Sequence, residues 1–178
     1  MKLNIGCGET KLEDYINIDI EESIKPDLVL DIRNQTLPYE ENSIERITCL
    51  HNIEHIEHKY HPYILAEFQR VLIPDEGELI LAYPEFEKCV NNFLSNYKGL
   101  KDFWRATLYG RQLYPGDYHV TPMITEDLIP LLKDVGFKDI RYIPEIDQEF
   151  NTFLTCVKGV RPFNHENLLN IEVFNKSF

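Results

Sequence analysis

The segment Ile5-Gly6-Cys7-Gly8 sets two glycines one residue apart at the end of an apolar run, and Asp19 and Asp31 close the next two such runs. Glycine permits positive φ, and its missing Cβ lets a ligand lie against bare main chain. A carboxylate accepts hydrogen bonds from both hydroxyls of a ribose, which is why nucleoside sites place an acid after the second strand of an α/β sheet. A GxG turn alone is weak, and a purely structural turn competes with it. The ordered set favours a ligand role for Asp19. For Asp31 a turn or helix-cap role stands equally open.

A second cluster is His51-Asn52-Ile53-Glu54-His55. Its HxxEH spacing is that of zinc hydrolases, in which two imidazoles share a helical face and the glutamate acts as base. The pattern is only five residues long, so the preferred reading is the metal-free start of a helix after a strand. His58 and His61 are expected on a solvated face or capping the next helix.

The third region, residues 97–122, holds Tyr97, Phe103, Trp104, Tyr109, Tyr114 and Tyr118, about twice the aromatic density of the chain. Its Lys98, Lys101, Arg105 and Arg111 outnumber Asp102 and Asp117, so it is locally basic in an acidic protein. Aromatic faces beside cations suit a sugar, a planar metabolite or an anion. A packing subdomain over the sheet edge is the equal alternative.

These residues need a scaffold. Short Ile-, Leu- and Val-rich runs at Lys2–Ile5, Tyr15–Ile18, Leu28–Leu30 and Ile44–Leu50 read as strands covered on both faces, and Glu78–Tyr83, Lys138–Ile143 and Thr152–Lys158 read as the remaining strands. Pro62–Leu72 reads as a helix with Pro62 in its first turn, burying Ile64, Leu65, Phe68, Val71 and Leu72. Glu85–Tyr97 and Asp127–Val135 are the other helices, with Pro130 implying a late start or kink and Gly136 the end. This alternation predicts an α/β fold. Only ten residues lie between Gly8 and Asp19. That is too short for a crossover helix, and it argues against a dinucleotide cofactor, whose acid sits ~20 residues past the glycines.

The 178 residues carry a net charge of −12, which disfavours nucleic acid or an anionic membrane as partner. Cys7, Cys49, Cys89 and Cys156 form no CxxC pair and read as buried free thiols. The amino terminus lacks the pattern of a signal peptide, and no apolar run reaches the ~18 residues of a membrane span. A cytoplasmic protein is expected.

Six pieces in order resemble the class I S-adenosylmethionine-dependent methyltransferases, especially a small type 11 branch. LNIGCG resembles the glycine-rich first motif, and NIDI, ending at Ile20, the ribose segment. LDIRNQTLPYEENSIERI is similar to the stretch that includes the adenine contacts. CLHNIEHI, RVLIPDEGELILAYP and LLKDVGFKDIR resemble the later motifs. The third glycine of the family is replaced by Glu9-Thr10.

The resemblance implies a Rossmann-like, mostly parallel seven-stranded sheet with an antiparallel last strand and, here, a shortened first crossover. It implies a domain over 1–158, with 97–122 as an insertion over the site and 159–178 as an extension that either covers the core or forms a homodimer contact. Gly6, Cys7 and Gly8 would meet the methionine part of S-adenosylmethionine, Asp19 and Ile20 the ribose, Asp31 and Ile32 the adenine, and His51 the methyl region. Gly110-Arg111-Gln112 and Gly116-Asp117-Tyr118-His119 resemble a GGQ…GD.H stretch, which raises Arg111, Gln112, Tyr118 and His119 on the substrate side. The expected reaction is O- or N-methylation of a small molecule or sugar. His119 is the first choice of base and His51 the second, because an imidazole takes up a proton near neutral pH. A non-catalytic S-adenosylmethionine-binding protein is the main alternative, and a zinc hydrolase the third.

Overall fold

Seven short strands form, with the side chains of the central ones mostly buried: β1 (Lys2–Ile5), β2 (Ile16–Asp19), β3 (Leu28–Val29), β4 (Arg46–Leu50), β5 (Glu78–Pro84), β6 (Phe137–Tyr142) and β7 (Asn151–Lys158). The computed structural model describes residues 1–143 and 150–159. The strands form one sheet in the order β3-β2-β1-β4-β5-β7-β6. β1, β2, β3, β4 and β5 pair in parallel, and β7 runs antiparallel to both β5 and β6. The mostly parallel sheet with an antiparallel last strand is the one expected. Leu3, Ile5, Ile18, Ile47, Leu79 and Leu81 are buried in its centre.

Residues 6–15 join β1 to β2 without a helix. Asn4 and Asn17, register partners on these strands, are both buried and hold that loop. Asn4 donates to Asn17 Oδ1 at 2.9 Å and to Thr10 O at 3.0 Å. The Asn17 carboxamide accepts from Leu12 N at 2.8 Å and donates to Leu12 O at 3.2 Å. Two carboxamides therefore satisfy a loop main chain that a longer link would have satisfied as helix.

Among the described residues four α-helices flank the sheet: α1 (His61–Val71), α2 (Phe86–Leu94), α3 (Lys101–Tyr109) and α4 (Thr125–Val135). α1 buries the expected face, and Arg70 with Glu67 ties it to the carbonyls and amide of the 37–39 loop. α2 stops short of the expected Tyr97, because the Ser95 hydroxyl takes the Asn91 carbonyl and Asn96 turns left-handed. α3 lies inside the aromatic segment, where no helix was expected. Its Trp104 is fully buried against Tyr97, Phe103 and Phe150. α4 begins two residues early and continues through Pro130, whose missing N–H forfeits one bond to the first turn. Gly136, at φ 107°, caps it.

His61 neither lies on a solvated face nor caps α1 with its side chain, the two places expected of it. It is buried, and its Nε2–H lies 3.0 Å from both Ile53 O and Ile56 O. It thus holds the turn that follows β4. Exposed His58 does match its expectation. All four cysteines are free and buried. Among the described residues no helix is long and apolar enough to cross a membrane. The extension beyond Gly159 lies outside the described residues.

Candidate cofactor and substrate site

The glycine turn leaves β1 with Gly6 at φ +64° and Gly8 at φ +51°, both left-handed. A Cβ on Gly6 would stand 2.1 Å from Asn52 Nδ2, so the first glycine is needed for the approach of the loop after β4. A Cβ on Gly8 would meet nothing within 4 Å. The second glycine therefore borders open space at the carboxyl edge of the sheet. Cys7 is buried between them, its amide on Ile18 O at 3.1 Å, and burial pushes its thiol pKa up.

Asp19 ends β2 and faces this turn. Its Oδ2 accepts from Gly8 N at 2.8 Å, and its Oδ1 accepts from Glu21 N at 2.9 Å. Each oxygen keeps a second lone pair, enough for two ribose hydroxyls. Ile20 beside it is exposed. The residues fit a nucleoside that carries a sulfonium: open main chain for the amino-acid part, and a free acceptor edge for the sugar.

Asp31 behaves as a turn residue. Arg33 grips it through Nε and Nη2, both at 2.8 Å, and Arg33 N donates to the same carboxylate at 3.0 Å. The Arg33 bond first, and its charge with it, holds the carboxyl below its ordinary pKa. Ile32 packs half-buried against the core.

His51 leaves β4 at φ +52°, its amide on Ala82 O at 2.8 Å. Its Nδ1 stands 3.5 Å from Glu54 Oε1 and its Nε2 3.5 Å from Asn151 Nδ2. After Asn52, residues Ile53–His55 form a short 3-10 turn. The helical face that would carry both His51 and His55 is therefore missing. Instead the turn meets the end of the aromatic segment: the Glu54 carbonyl accepts from Val120 N and Thr121 N, and His55 Nδ1 donates to Tyr118 O at 3.0 Å.

His119 reaches the same place from the other side. Its Nδ1 donates to Thr107 O at 3.0 Å, and its ring stands edge-on to His55 with centroids 4.8 Å apart. Desolvation lowers its pKa, so it is neutral near pH 7. Sequence spacing carried no sign that His119 would join Glu54 and His55, or that Asn52 and Asn151 would flank Gly6 and His51. Only the topology brings them there.

Arg111 and Gln112 lie on a loop closed by Asp117. Buried Asp117 accepts from Leu113 N at 3.1 Å and lies 3.7 Å from Arg111 Nε. Gly110 is obligatory here, since a Cβ would fall 1.9 Å from Asp117 O. Asp102, Arg105, Tyr109, Arg111 and Gln112 border a hollow of about 240 Å³. Within the aromatic segment Trp104 packs, whereas Tyr109, Tyr114 and Tyr118 stay exposed.

No family model and no curated protein matches the chain in sequence. Its fold does match many solved structures. A SAM-dependent methyltransferase from Archaeoglobus fulgidus superposes with a TM-score of 0.61 at 14% identity, over 88% of this chain and 85% of that one. One from Methanosarcina mazei gives a TM-score of 0.61 at 16% identity, over 90% and 92%. The CMeT domain of the citrinin polyketide synthase gives 0.59 at 13% identity, over 89% of this chain and 46% of that one. The chain has the class I S-adenosylmethionine-dependent methyltransferase fold.

Proposed function

We propose that this chain is a methyltransferase that moves the methyl group of S-adenosylmethionine to an oxygen or nitrogen of a small molecule or sugar. The observation that supports it is the Gly8–Asp19 pair: a left-handed glycine bordering open space, 2.8 Å from a carboxylate on the neighbouring strand. In this reading residues 1–158 are the methyltransferase domain, and 97–122 lie over the acceptor.

Bound there, S-adenosylmethionine supplies an activated methyl on a sulfonium, and transfer leaves a neutral thioether. The chain has to align the acceptor, exclude water and receive the acceptor's proton. Gly6, Cys7 and Gly8 carry the methionine part, Asp19 and Ile20 the ribose, and Ile32 the adenine face, with Asp31 fixing the turn that presents Ile32. His51, at the end of β4, takes the acceptor's proton, with the Glu54 carboxylate 3.5 Å from its Nδ1 to stabilise the imidazolium that forms. His119 stands on the far side of Glu54 as the second imidazole of the site. Arg111, Gln112 and Tyr118 contact the acceptor.

Calorimetry with S-adenosylmethionine tests the reading. Saturable binding with one equivalent is expected, and no heat at millimolar ligand overturns it. Binding without methyl transfer to any acceptor would favour the non-catalytic alternative instead.

A further inference from the structure

Glu54 stands out among the described residues. Its side chain is 2% exposed, yet neither carboxylate oxygen accepts a hydrogen bond. Buried polar groups are nearly always satisfied, and an orphan points to a missing water or ion. A buried, unpaired carboxylate is also costly. Among the described residues the cation-forming group that stands by it is an imidazole: His51 Nδ1 is 3.5 Å from Oε1.

Two further imidazoles converge on it. One ring nitrogen of His55, one of His119 and one oxygen of Glu54 lie within 4.8 Å of one another. Each of these rings spends its Nδ1 proton on a main-chain carbonyl, Tyr118 O and Thr107 O respectively, both at 3.0 Å. A carbonyl can only accept, so the tautomer is set and the Nε2 lone pairs are left to coordinate. Metal-binding histidines are oriented in this way. The three donors spread somewhat wider than the ~3.3 Å edges of a tetrahedral zinc with bonds near 2 Å. Small side-chain rotations would close the difference.

We propose that Glu54, His55 and His119 form a divalent transition-metal site of zinc type, with two nitrogen donors, one carboxylate and a fourth position left to water or to a substrate oxygen. Two imidazoles and one carboxylate suit zinc, whereas magnesium or calcium would want an all-oxygen set. The set differs from the HxxEH one, because His51 lies off the turn that carries His55. The ion would clamp the 53–55 turn to the end of the aromatic segment, which the Val120 and Thr121 amides already join at the Glu54 carbonyl. The site does not depend on the methyltransferase reading, although it would lie beside that acceptor region.

The test is titration of the chelator-treated protein with zinc and, separately, with cobalt(II) as an optical probe. One equivalent of zinc should bind in the micromolar range or tighter, and cobalt should give visible bands of low-symmetry N/O coordination. His119→Ala, His55→Ala and Glu54→Gln should each weaken binding by more than the ~10–100-fold that loss of an outer-shell partner costs. His58→Ala, exposed and outside the set, should leave it unchanged. Circular dichroism and S-adenosylmethionine calorimetry on His55→Ala report whether the fold has survived. Absent stoichiometric binding, or binding indifferent to His119→Ala in a folded variant, overturns the site. Zinc binding in a protein with no affinity for S-adenosylmethionine would sink the methyltransferase reading and leave the metal site standing.

Discussion

The side-chain amide of Asn4 donates to Asn17 Oδ1 at 2.9 Å across the centre of the β1–β2 pair. That bond lets a ten-residue loop do the work of a crossover helix, because Asn17 also closes on both main-chain groups of Leu12. Asn17→Ala should remove the side-chain partner of both Leu12 main-chain groups and one of the two acceptors of Asn4, and destabilise the protein by about 1–3 kcal/mol. Urea unfolding followed by circular dichroism measures this, and an unchanged midpoint would mean that water replaces the carboxamide at no cost.

Asp19 is expected to govern cofactor affinity. Asp19→Ala removes a charged acceptor from a confined site and should weaken S-adenosylmethionine binding by at least ~2 kcal/mol. Titration calorimetry reads it directly. Equal affinity in the variant would take the ribose away from this carboxylate.

Gly6 carries two separable constraints, a φ of +64° and the 2.1 Å approach of Asn52. Gly6→Ala should cost ~1–2 kcal/mol for the left-handed backbone plus a steric part. Gly6→Ala with Asn52→Gly, which also removes the Asn52 Cβ that would stand 2.7 Å away, should recover only the steric part. A double-mutant cycle separates them, and strict additivity would show that Asn52 is not the obstacle.

His61 makes stability depend on pH. Burial pushes its pKa down to about 4 from an ordinary value near 6.5, so the unfolded chain binds more protons between these limits. The stabilisation is therefore full above pH 6.5 and is lost as pH falls through 4, on the order of 3 kcal/mol in all. His61→Gln should reduce the loss of stability between pH 7 and pH 4.5 relative to the wild type. Parallel slopes of the two proteins against pH would contradict the buried neutral imidazole.

Much of the architecture was legible because its causes are local. A run such as Glu78–Tyr83 can be recognised from its β-rich composition, and Pro62 marks its own helix start. The errors came where local signals compete with packing. α3 hid among aromatics because Trp104 finds its burial against Phe150 and Tyr97, residues far apart in the chain. Pro130 was given too much weight, since the neighbouring turns of α4 are held by the buried face and by Glu85 at Thr125.

Chain chemistry alone determined the glycine turn, the acids at the ends of the second and third runs, and hence the edge of the sheet where a nucleoside would lie. These follow from backbone freedom and from strand period, which are properties of neighbours in sequence. Tertiary structure alone decided that Asp19 would meet Gly8, that His61 would be a buried tie, and that His119 would come within reach of Glu54 and His55. Those meetings join residues 5 to 65 positions apart, and only the stacking order of strands sets which loops arrive at the same edge.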